Sequence, residues 1–454
     1  MAIRLTYEDG TIRASGPERE REAVREAVPS DPILEYDPRS LVHRAPAFRY
    51  ADLRVRLDER DIEYADLVFD RSFLRGLVSA YELRSYQQAA LDAWDDNGNR
   101  GVLELPTGSG KTVIAMKAIE TLACPTLIVV PTIDLLNQWR EELRAEFDIP
   151  VGQFGGGVQS MEAITVSTYD SAYLKADSVG DVFSLVVFDE VHHLGGEGYR
   201  EIARLLAAPA RLGLTATFER PDGAHELIED LVGPVVYRTS AEELAGEHLA
   251  PYDVKRIEVS LTEREREEYE RNQETFVSYL RESGIEMRRG SDYQELVKRS
   301  GSDPRAREAL LAKQHAREIV SNAERKVEQL GAILERHHGE RIIVFTAHND
   351  LVYRLSERFL IPAITHRTGT KERREVLDRF REGTYSRVVA SNVLDEGVDV
   401  PDASVAVVLS GSGSEREFTQ RLGRILRPGE GKRALLYELV SEDTAEENVA
   451  ARRR

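Results

Sequence analysis

Cysteine is nearly absent from this 454-residue chain, which has a single thiol at Cys124. One thiol excludes an internal disulfide, an iron–sulfur cluster held by cysteines and a zinc finger. Long apolar runs are missing too: the longest stretches fall far short of the ~20 residues that a membrane-spanning helix needs. Residues 1–10 also carry charge. We therefore expect a cytoplasmic protein with no membrane partner.

Lysine is scarce as well: only nine of the 61 basic side chains are lysines and 52 are arginines, against 80 acidic residues and a net charge of −19. Nucleic-acid-binding proteins usually have a basic surface, so long-range attraction of DNA is not expected. An acidic, lysine-poor composition resembles that of proteins from a halophilic archaeon. In molar salt the Debye length falls to about 3 Å and only close contacts count. The net charge therefore does not exclude a nucleic-acid partner.

Length and periodicity predict several domains, because 454 residues are too many for one core. Short apolar strands alternate with helical patterns in residues 76–240 and again in residues 325–454. This alternation favours two α/β domains, each with a parallel sheet covered by helices. Residues 1–75 predict a small α+β domain, and the Arg/Glu-rich residues 241–324 predict a helical insertion.

One stretch in the first α/β domain predicts a phosphate-binding loop. Its residues are Leu105, Pro106, Thr107, Gly108, Ser109, Gly110, Lys111 and Thr112. Gly108 and Gly110 let the backbone approach an anion because they lack a Cβ. We expect Lys111 to reach the β- and γ-phosphates of ATP and the Thr112 hydroxyl to bind Mg²⁺. The first residue is leucine where the strict pattern has glycine, so the prediction depends on the strand before the loop and the helix after it.

An acidic pair, Asp189 and Glu190, follows the most apolar strand, which is predicted over residues 182–188. Ligands of parallel sheets bind beyond the carboxyl ends of the strands, so we expect this pair beside the phosphate loop. Asp189 can bind Mg²⁺, and Glu190 can orient and deprotonate the attacking water. His192 and His193 come next, but neighbouring histidines point apart on a strand and a third ligand is missing. We interpret them as polar coupling residues.

Arg424 and Arg427 lie three residues apart on a predicted helix of the second α/β domain, so both leave the same face. Neither has a carboxylate four residues away with which to form a surface pair. Two guanidiniums aimed across a cleft could neutralise the charge that grows on a transferred phosphoryl group. An arginine finger of this kind is worth ~10³–10⁵ in rate. The alternative is a surface stripe of arginines.

In this order the motifs resemble those of superfamily 2 helicases and translocases. The residues within each motif resemble those of the XPB-type DNA repair helicases in their archaeal form. The resemblance is carried by Asp-Glu-Val-His-His after the apolar strand, Thr-Ala-Thr at 215–217 and Gln-Arg-Leu-Gly-Arg-Ile-Leu-Arg at 420–427. It implies two RecA-like domains in tandem with ATP bound between them. It also implies a damage-recognition domain in residues 1–75 and a thumb-like insertion in residues 241–324. The family's Arg-Glu-Asp triplet is Arg-Pro-Asp here, at 220–222.

The resemblance also implies roles for single residues. The residues implied to contact the base and ribose are Arg84, Gln87, Gly397 and Asp399. Those implied to act in catalysis are Lys111, Glu190, Gln420, Arg424 and Arg427. Those implied to couple the γ-phosphate to domain closure are His192, Thr215 and Thr217. Those implied to touch DNA are Pro131, Thr132, Thr168, Arg220 and Ser391.

We therefore expect an ATP- and Mg²⁺-dependent DNA helicase or translocase that acts in DNA repair. No nuclease motif is evident, so cleavage would come from a nuclease partner. Two alternatives remain open. One is another superfamily 2 motor, such as an RNA helicase or a restriction-type translocase. The other is an ATP-gated clamp that recognises damaged DNA without moving along it.

Overall fold

The computed structural model describes residues 3–16, 33–40, 42–69, 74, 76–219, 223–244, 252–287, 290–391, 403–410 and 434–447. The chain divides into two compact units, Met1–Glu243 and Leu244–Arg454. The finer division into four parts stays a prediction. Among the described helices, none combines the length and the apolar character that crossing a membrane requires.

The N-terminal residues form a small α+β layer, as predicted. Its elements are β1 (Ile3–Glu8), β2 (Thr11–Ser15), β3 (Glu35–Asp37), β4 (Val42–Pro46), α1 (Tyr50–Asp58) and β5 (Tyr64–Asp66). The sheet order is β3-β4-β2-β1-β5, and within it only β1 and β5 pair in parallel. Ile3 and Leu5 are buried on one face of β1, where they pack with Tyr50 and Leu53 of the helix.

The first large sheet carries the predicted α/β alternation. Its elements are α2 (Ser85–Asp96), β6 (Arg100–Glu104), α3 (Lys111–Leu122), β7 (Thr126–Val130), α4 (Ile133–Phe147), β8 (Val151–Gly155), β9 (Val158–Ser160), β10 (Ile164–Thr168), α5 (Tyr169–Lys175), β11 (Leu185–Asp189), α6 (Arg200–Leu205), β12 (Ala210–Thr215), α7 (His225–Leu231), β13 (Val235–Arg238) and α8 (Ala241–Leu244). The strand order is β13-β6-β12-β11-β7-β10-β8-β9. Every pair is parallel except β8 with β9.

The apolar strand predicted over residues 182–188 begins and ends later, at Leu185–Asp189. Val182 closes a turn, since its N–H donates to the Val179 carbonyl at 3.2 Å. Phe183 is buried before the strand starts. Continuous apolar character reports burial and does not distinguish a strand from a buried turn, so the sequence placed the start too early.

The second unit contains another parallel sheet and a group of helices. Its elements are β14 (Tyr252–Val259), α9 (Glu263–Ser283), α10 (Gly290–Ser300), α11 (Pro304–Ser321), α12 (Glu324–Arg336), β15 (Ile342–Phe345), α13 (Asn349–Phe359), β16 (Ala363–Ile364), α14 (Thr370–Arg381), β17 (Arg387–Ala390), β18 (Val405–Val408) and β19 (Ala434–Ser441). The strand order is β14-β19-β18-β15-β17-β16 with all pairs parallel.

The segment 241–324 is not helical throughout. It includes β14, which pairs with β19 from Tyr252 opposite Ala434 to Val259 opposite Ser441. This strand is not predicted by the sequence pattern, because Lys255, Arg256 and Glu258 interrupt its apolar character. β14 lies at the edge of the described sheet, where one side is open to water and charged side chains are tolerated.

The register of three neighbouring strands places the predicted motifs at one edge of the first sheet. Asp189, the last residue of β11, lies opposite Leu214 of β12. Thr215, the last residue of β12, lies opposite Glu104, the last residue of β6. The phosphate loop, the acidic pair and the Thr-Ala-Thr segment therefore leave the sheet side by side.

Candidate nucleotide site

The phosphate loop joins β6 to α3 in a conformation that needs glycine at two positions. Gly108 and Gly110 have φ of +83° and +80°, in the left-handed region that side chains disfavour. A Cβ on Gly110 would lie 2.4 Å from Nε2 of Gln87. Gly110 caps α3, which begins at Lys111, so the loop ends at a helix N-terminus. This is the backbone arrangement that binds phosphate groups in proteins.

The polar side chains of the loop also suit an anion. Nζ of Lys111 donates to the carbonyls of Leu105 at 3.0 Å and Pro106 at 3.4 Å. The hydroxyls of Thr107 and Ser109 are buried, and neither has a hydrogen-bond partner among the described residues. Donors that are buried without a partner fit a ligand rich in acceptors. The loop therefore fits a phosphate group, and the contact of Lys111 with the β- and γ-phosphates stays a prediction.

Gln87 supports the loop, a role that the sequence analysis missed. Its Nε2 donates to the Ser109 carbonyl at 2.8 Å, and its Oε1 accepts the Arg84 N–H at 2.9 Å. The hydroxyl of Tyr86 donates to the same Ser109 carbonyl at 2.5 Å. The bond from the Arg84 N–H to Gln87 is half of a capping box at the start of α2. The first turn of this helix therefore presents the side chains of Tyr86 and Gln87 to the loop. The base contact implied for Gln87 and Arg84 stays a prediction.

Asp189 is a buried carboxylate with a donor on each oxygen. The indole Nε1 of Trp139 donates to Oδ2 at 2.9 Å, and the backbone N–H of Glu190 donates to Oδ1 at 3.0 Å. Burial raises the pKa of Asp189, although the Trp139 hydrogen bond and the positive charge of Lys111 act to lower it. Because β6 and β11 lie on either side of β12, the phosphate loop and the acidic strand end leave the sheet at the same edge.

Glu190 adopts φ +50°, a left-handed conformation that is uncommon for a residue with a side chain. It is followed by a short 3-10 helix, Val191–Gly195, so the chain turns sharply at this point. The hydroxyl of Tyr169 donates to the Asp189 carbonyl at 3.1 Å and contacts the Glu190 carbonyl at 3.4 Å. Strain of this kind clusters at functional sites, where the surrounding structure holds it in place.

The residues predicted to couple the site lie in one connected chain of polar contacts. Oε2 of Glu190 lies 3.5 Å from Nδ1 of His192, and the same ring nitrogen lies 3.1 Å from Oγ1 of Thr215. The Thr215 hydroxyl donates to the Thr217 carbonyl at 2.9 Å. The structure thus brings the acidic pair and the Thr-Ala-Thr segment together through a histidine that is 1% exposed.

Glu104 is a further residue of this edge that the sequence analysis missed. Its Oε1 accepts the Phe218 N–H at 3.0 Å, and its Oε2 lies 2.5 Å from Nε of Arg238. It therefore ties the end of β6 to the segment that follows Thr217. Glu104 directly precedes the phosphate loop, and this position is the only feature of the sequence that points to its role.

The predicted DNA contacts of the first unit lie at the ends of two neighbouring strands. Thr132 follows β7 and caps α4 by accepting the Leu135 N–H at 3.3 Å. Thr168 ends β10 and caps α5 by accepting the Ser171 N–H at 3.3 Å. Pro131 lies beside them, between β7 and Thr132. Their contacts with DNA stay predictions.

In the second unit only Ser391 of the predicted site residues is described. It is buried after β17, and its N–H donates to the Ile364 carbonyl at 3.0 Å. The other predicted site residues of that unit lie outside the described residues, as does Arg220 of the first unit. Those of the second unit are Gly397, Asp399, Gln420, Arg424 and Arg427.

Three family models match successive parts of the chain. Residues 5–68 match the Xeroderma pigmentosum group B helicase damage recognition domain. Residues 80–220 match the res subunit of type III restriction enzymes. Residues 325–429 match the helicase conserved C-terminal domain.

Curated relatives resemble the chain over most of its length. It is 46% identical to the DNA 3'-5' translocase XPB2 of Sulfurisphaera tokodaii, over 93% of this chain and 96% of that protein. It is 32% identical to the putative DNA 3'-5' helicase Rad25 of Halobacterium salinarum, over 87% of this chain and 59% of that protein. It is 30% identical to the DNA 3'-5' helicase XPB of Mycobacterium tuberculosis, over 82% of this chain and 63% of that protein. The chain thus spans less than two thirds of the last two relatives.

Among solved structures, the chain resembles the Hef helicase domain of Pyrococcus furiosus, with a TM-score of 0.51 and 22% identity. The match covers 82% of this chain and 98% of that one. At this identity the likeness concerns the fold alone, and it confirms the tandem α/β architecture that the sequence predicts.

Proposed function

Because the chain belongs to the XPB family of superfamily 2 helicases, we propose that it is an ATP-hydrolysing motor that moves on or opens duplex DNA in DNA repair. One observation carries the proposal: a glycine loop that fits phosphates leaves the sheet beside the Asp189–Glu190 pair, which is linked through His192 to the Thr-Ala-Thr segment. A site of this kind can sense the γ-phosphate and relay its loss to neighbouring segments.

In the first unit, each described side chain has a role that suits its position. Lys111 would bind the β- and γ-phosphates, while Thr112 and Asp189 would hold Mg²⁺. The metal would supply charge neutralisation at the phosphates. Glu190 would orient the attacking water and accept its proton. Its fixed backbone and its contact with His192 support this assignment.

In the second unit, we propose that Arg424 and Arg427 supply positive charge to the transferred phosphoryl group, with Gln420 beside them. We further propose that Gly397 and Asp399 contact the ribose. These assignments rest on the order of the motifs and on the residues within them. ATP binding would draw the two units together and hydrolysis would release them, so each cycle would shift the grip on a strand.

The domain division is proposed in the same way. Residues 1–75 would form the damage-recognition domain, 76–240 the first helicase domain, 241–324 a thumb-like insertion and 325–454 the second helicase domain. The matches at 5–68 and 325–429 support the outer two boundaries. The DNA contacts proposed for Pro131, Thr132, Thr168, Arg220 and Ser391 follow from the family resemblance.

A comparison of nucleic acids tests the substrate. We expect ATPase activity to rise most with duplex or forked DNA, and less with single-stranded DNA or RNA. Stimulation by RNA alone would favour an RNA helicase.

The match to the res subunit of restriction enzymes keeps a restriction-type translocase as a second candidate. Displacement of a third strand from a DNA triplex separates movement along DNA from an ATP-gated clamp, because a clamp would hydrolyse ATP without displacing it.

Salt preference and partners are proposed on composition and resemblance. The 80 acidic residues and the scarcity of lysine support activity in high potassium salt, as in a halophilic archaeon. This proposal rests on composition, since the chain is 46% identical to the Sulfurisphaera protein and 32% identical to the Halobacterium protein. An ATPase rate that falls steadily between 0.1 and ~2 M KCl would contradict it. A nuclease partner would supply any cleavage activity.

A further inference from the structure

Two aromatic side chains hold the Asp189–Glu190 pair from two different helices. Trp139 of α4 donates its indole N–H to the carboxylate of Asp189 at 2.9 Å. Tyr169 of α5 donates its hydroxyl to the Asp189 carbonyl at 3.1 Å and contacts that of Glu190 at 3.4 Å. The helices follow β7, which is the direct neighbour of β11, and β10, which is the next strand along. The acidic pair is therefore fixed by the layer of helices that follows the neighbouring strands.

The Trp139 bond restricts how Asp189 can turn. Both side chains are buried, with exposures of 2% for Trp139 and 8% for Asp189. An indole is a rigid donor with a single N–H, and it cannot accept a proton in return. Since each carboxylate oxygen takes one N–H, each keeps further lone-pair capacity in the plane of the carboxylate. The side chain is thus presented in one orientation with acceptor capacity to spare.

The Tyr169 bond acts on the main chain instead. Glu190 has a left-handed backbone conformation. The direction of its side chain depends on the orientation of the peptide that joins it to Asp189. The Tyr169 hydroxyl holds the carbonyl of that peptide. The ring is 2% exposed, so water does not compete for the bond. Loss of this bond would remove one interaction that stabilises the strained backbone conformation of Glu190.

We propose that Trp139 and Tyr169 are positioning residues of the ATP site: Trp139 orients the metal-binding carboxylate, and Tyr169 fixes the turn that aims Glu190. The inference rests on the proposed function, because it requires Asp189 to bind Mg²⁺ and Glu190 to act on water. Outer groups that orient metal ligands typically change metal affinity 10–100-fold when they are removed.

Trp139→Phe tests the first half, because phenylalanine keeps an apolar ring and removes the donor. We expect the Mg²⁺ concentration for half-maximal ATPase activity to rise about tenfold, with activity recovering at saturating Mg²⁺. Trp94→Phe is a matched control: Trp94 is 1% exposed, and its Nε1 donates to the Arg211 carbonyl at 2.9 Å, outside the site. An unchanged Mg²⁺ requirement in Trp139→Phe, or the same shift in the control, would overturn the proposal.

A binding measurement that does not depend on turnover uses the same control protein. The chain has two tryptophans, so Trp94→Phe leaves Trp139 as the only indole. We expect Trp139 emission to change when Mg²⁺ is added with ADP, and to stay constant with ADP in excess chelator. Constant emission in both titrations counts against contact between Trp139 and a metal ligand. If the unmutated protein shows no ATPase activity, the proposed function fails, whereas normal activity with no Trp139 effect refutes only this inference.

Tyr169→Phe tests the second half. We expect kcat to fall about tenfold or more, while KM for ATP and the Mg²⁺ requirement stay near those of the unmutated protein, because Asp189 keeps its Trp139 bond. Tyr50→Phe is the control, since Tyr50 is equally buried and its hydroxyl donates to Asp66 at 2.5 Å in the N-terminal layer. A general loss of structure would raise KM and lower the melting temperature together. That outcome, or an unchanged kcat, would contradict the role of Tyr169.

Discussion

Gly110→Ala is expected to damage the phosphate loop in two separable ways. The residue has φ +80°, and an alanine in this left-handed region costs roughly 1–2 kcal/mol. Its new Cβ would also lie 2.4 Å from Nε2 of Gln87. The amide would have to move and would lose its bond to the Ser109 carbonyl, which is worth about 1 kcal/mol. We therefore expect a total destabilisation of about 2–3 kcal/mol.

Thermal unfolding followed by tryptophan emission reports on this change, because Trp94 and Trp139 both lie in the first unit. In a unit of this size, roughly 3 °C of melting temperature corresponds to each kcal/mol. We expect Gly110→Ala to melt about 6–9 °C lower and to lose most of the stabilisation that ADP with Mg²⁺ provides to the unmutated protein.

Gly98→Ala is the control for the backbone term alone. Gly98 has φ +68°, and a Cβ there would meet nothing within 4 Å. We expect this variant to melt about 3–6 °C lower and to keep its response to ADP. A cycle with Gln87→Ala isolates the contact term, since the two changes should be non-additive by about 1 kcal/mol. If Gly110→Ala is no less stable than Gly98→Ala, the contact with Gln87 does not matter and the reasoning is wrong.

Three further predictions follow from the site and its surroundings. Lys111→Ala and Glu190→Gln should abolish DNA-stimulated ATPase activity, the first by weakening ATP binding and the second while leaving it intact; normal turnover in either variant would refute the site. Arg424→Ala should lower kcat by about 10³-fold or more with near-normal ATP affinity, measured by equilibrium binding; a collapse of affinity would contradict the finger role. Burial raises the pKa of Cys124 to about 11 from 9.0, so alkylation at pH 8 should be about a hundredfold slower than in the urea-unfolded chain. Equal alkylation rates in the folded and unfolded chain would contradict the partial burial of this thiol. The same shift means that the thiol favours the folded state below pH 9 and that this contribution is lost as the pH rises towards 11.

The parts of the fold that the sequence predicts well are those with strong local patterns. The predicted alternation of strands and helices in residues 76–240 includes the strands Thr126–Val130 and Ile164–Thr168, because β-branched and apolar runs bounded by turn residues are distinctive. The loop and acidic pair were also found locally, since glycine conformation and strand-end position determine them. In contrast, β14 was missed because an edge strand does not need an apolar pattern.

Partnerships across the sheet were the least predictable part of the site. The spacing of Leu135, Leu136, Trp139 and Leu143 places them on one helix face, and all of them except the partly buried Leu135 are buried in α4. That the indole donates to Asp189, 50 residues away, depends on β7 lying beside β11. The contacts of Gln87 with Ser109 and of Glu104 with Arg238 likewise depend on the packing of elements that are distant in sequence. A periodic pattern reports which side faces the core, and it does not identify the partner found there.

The pairing of β14 with β19 has a practical consequence for anyone who dissects this molecule. A fragment that starts at residue 325, where the helicase C-terminal match begins, would lack β14. Every second residue of the eight-residue, mostly apolar β19 would then present its main-chain N–H and C=O groups along an open side of the sheet, while the pairing with β18 would remain. Copies of such a fragment would tend to associate through this open edge. A fragment that begins before Tyr252 retains β14, which covers β19.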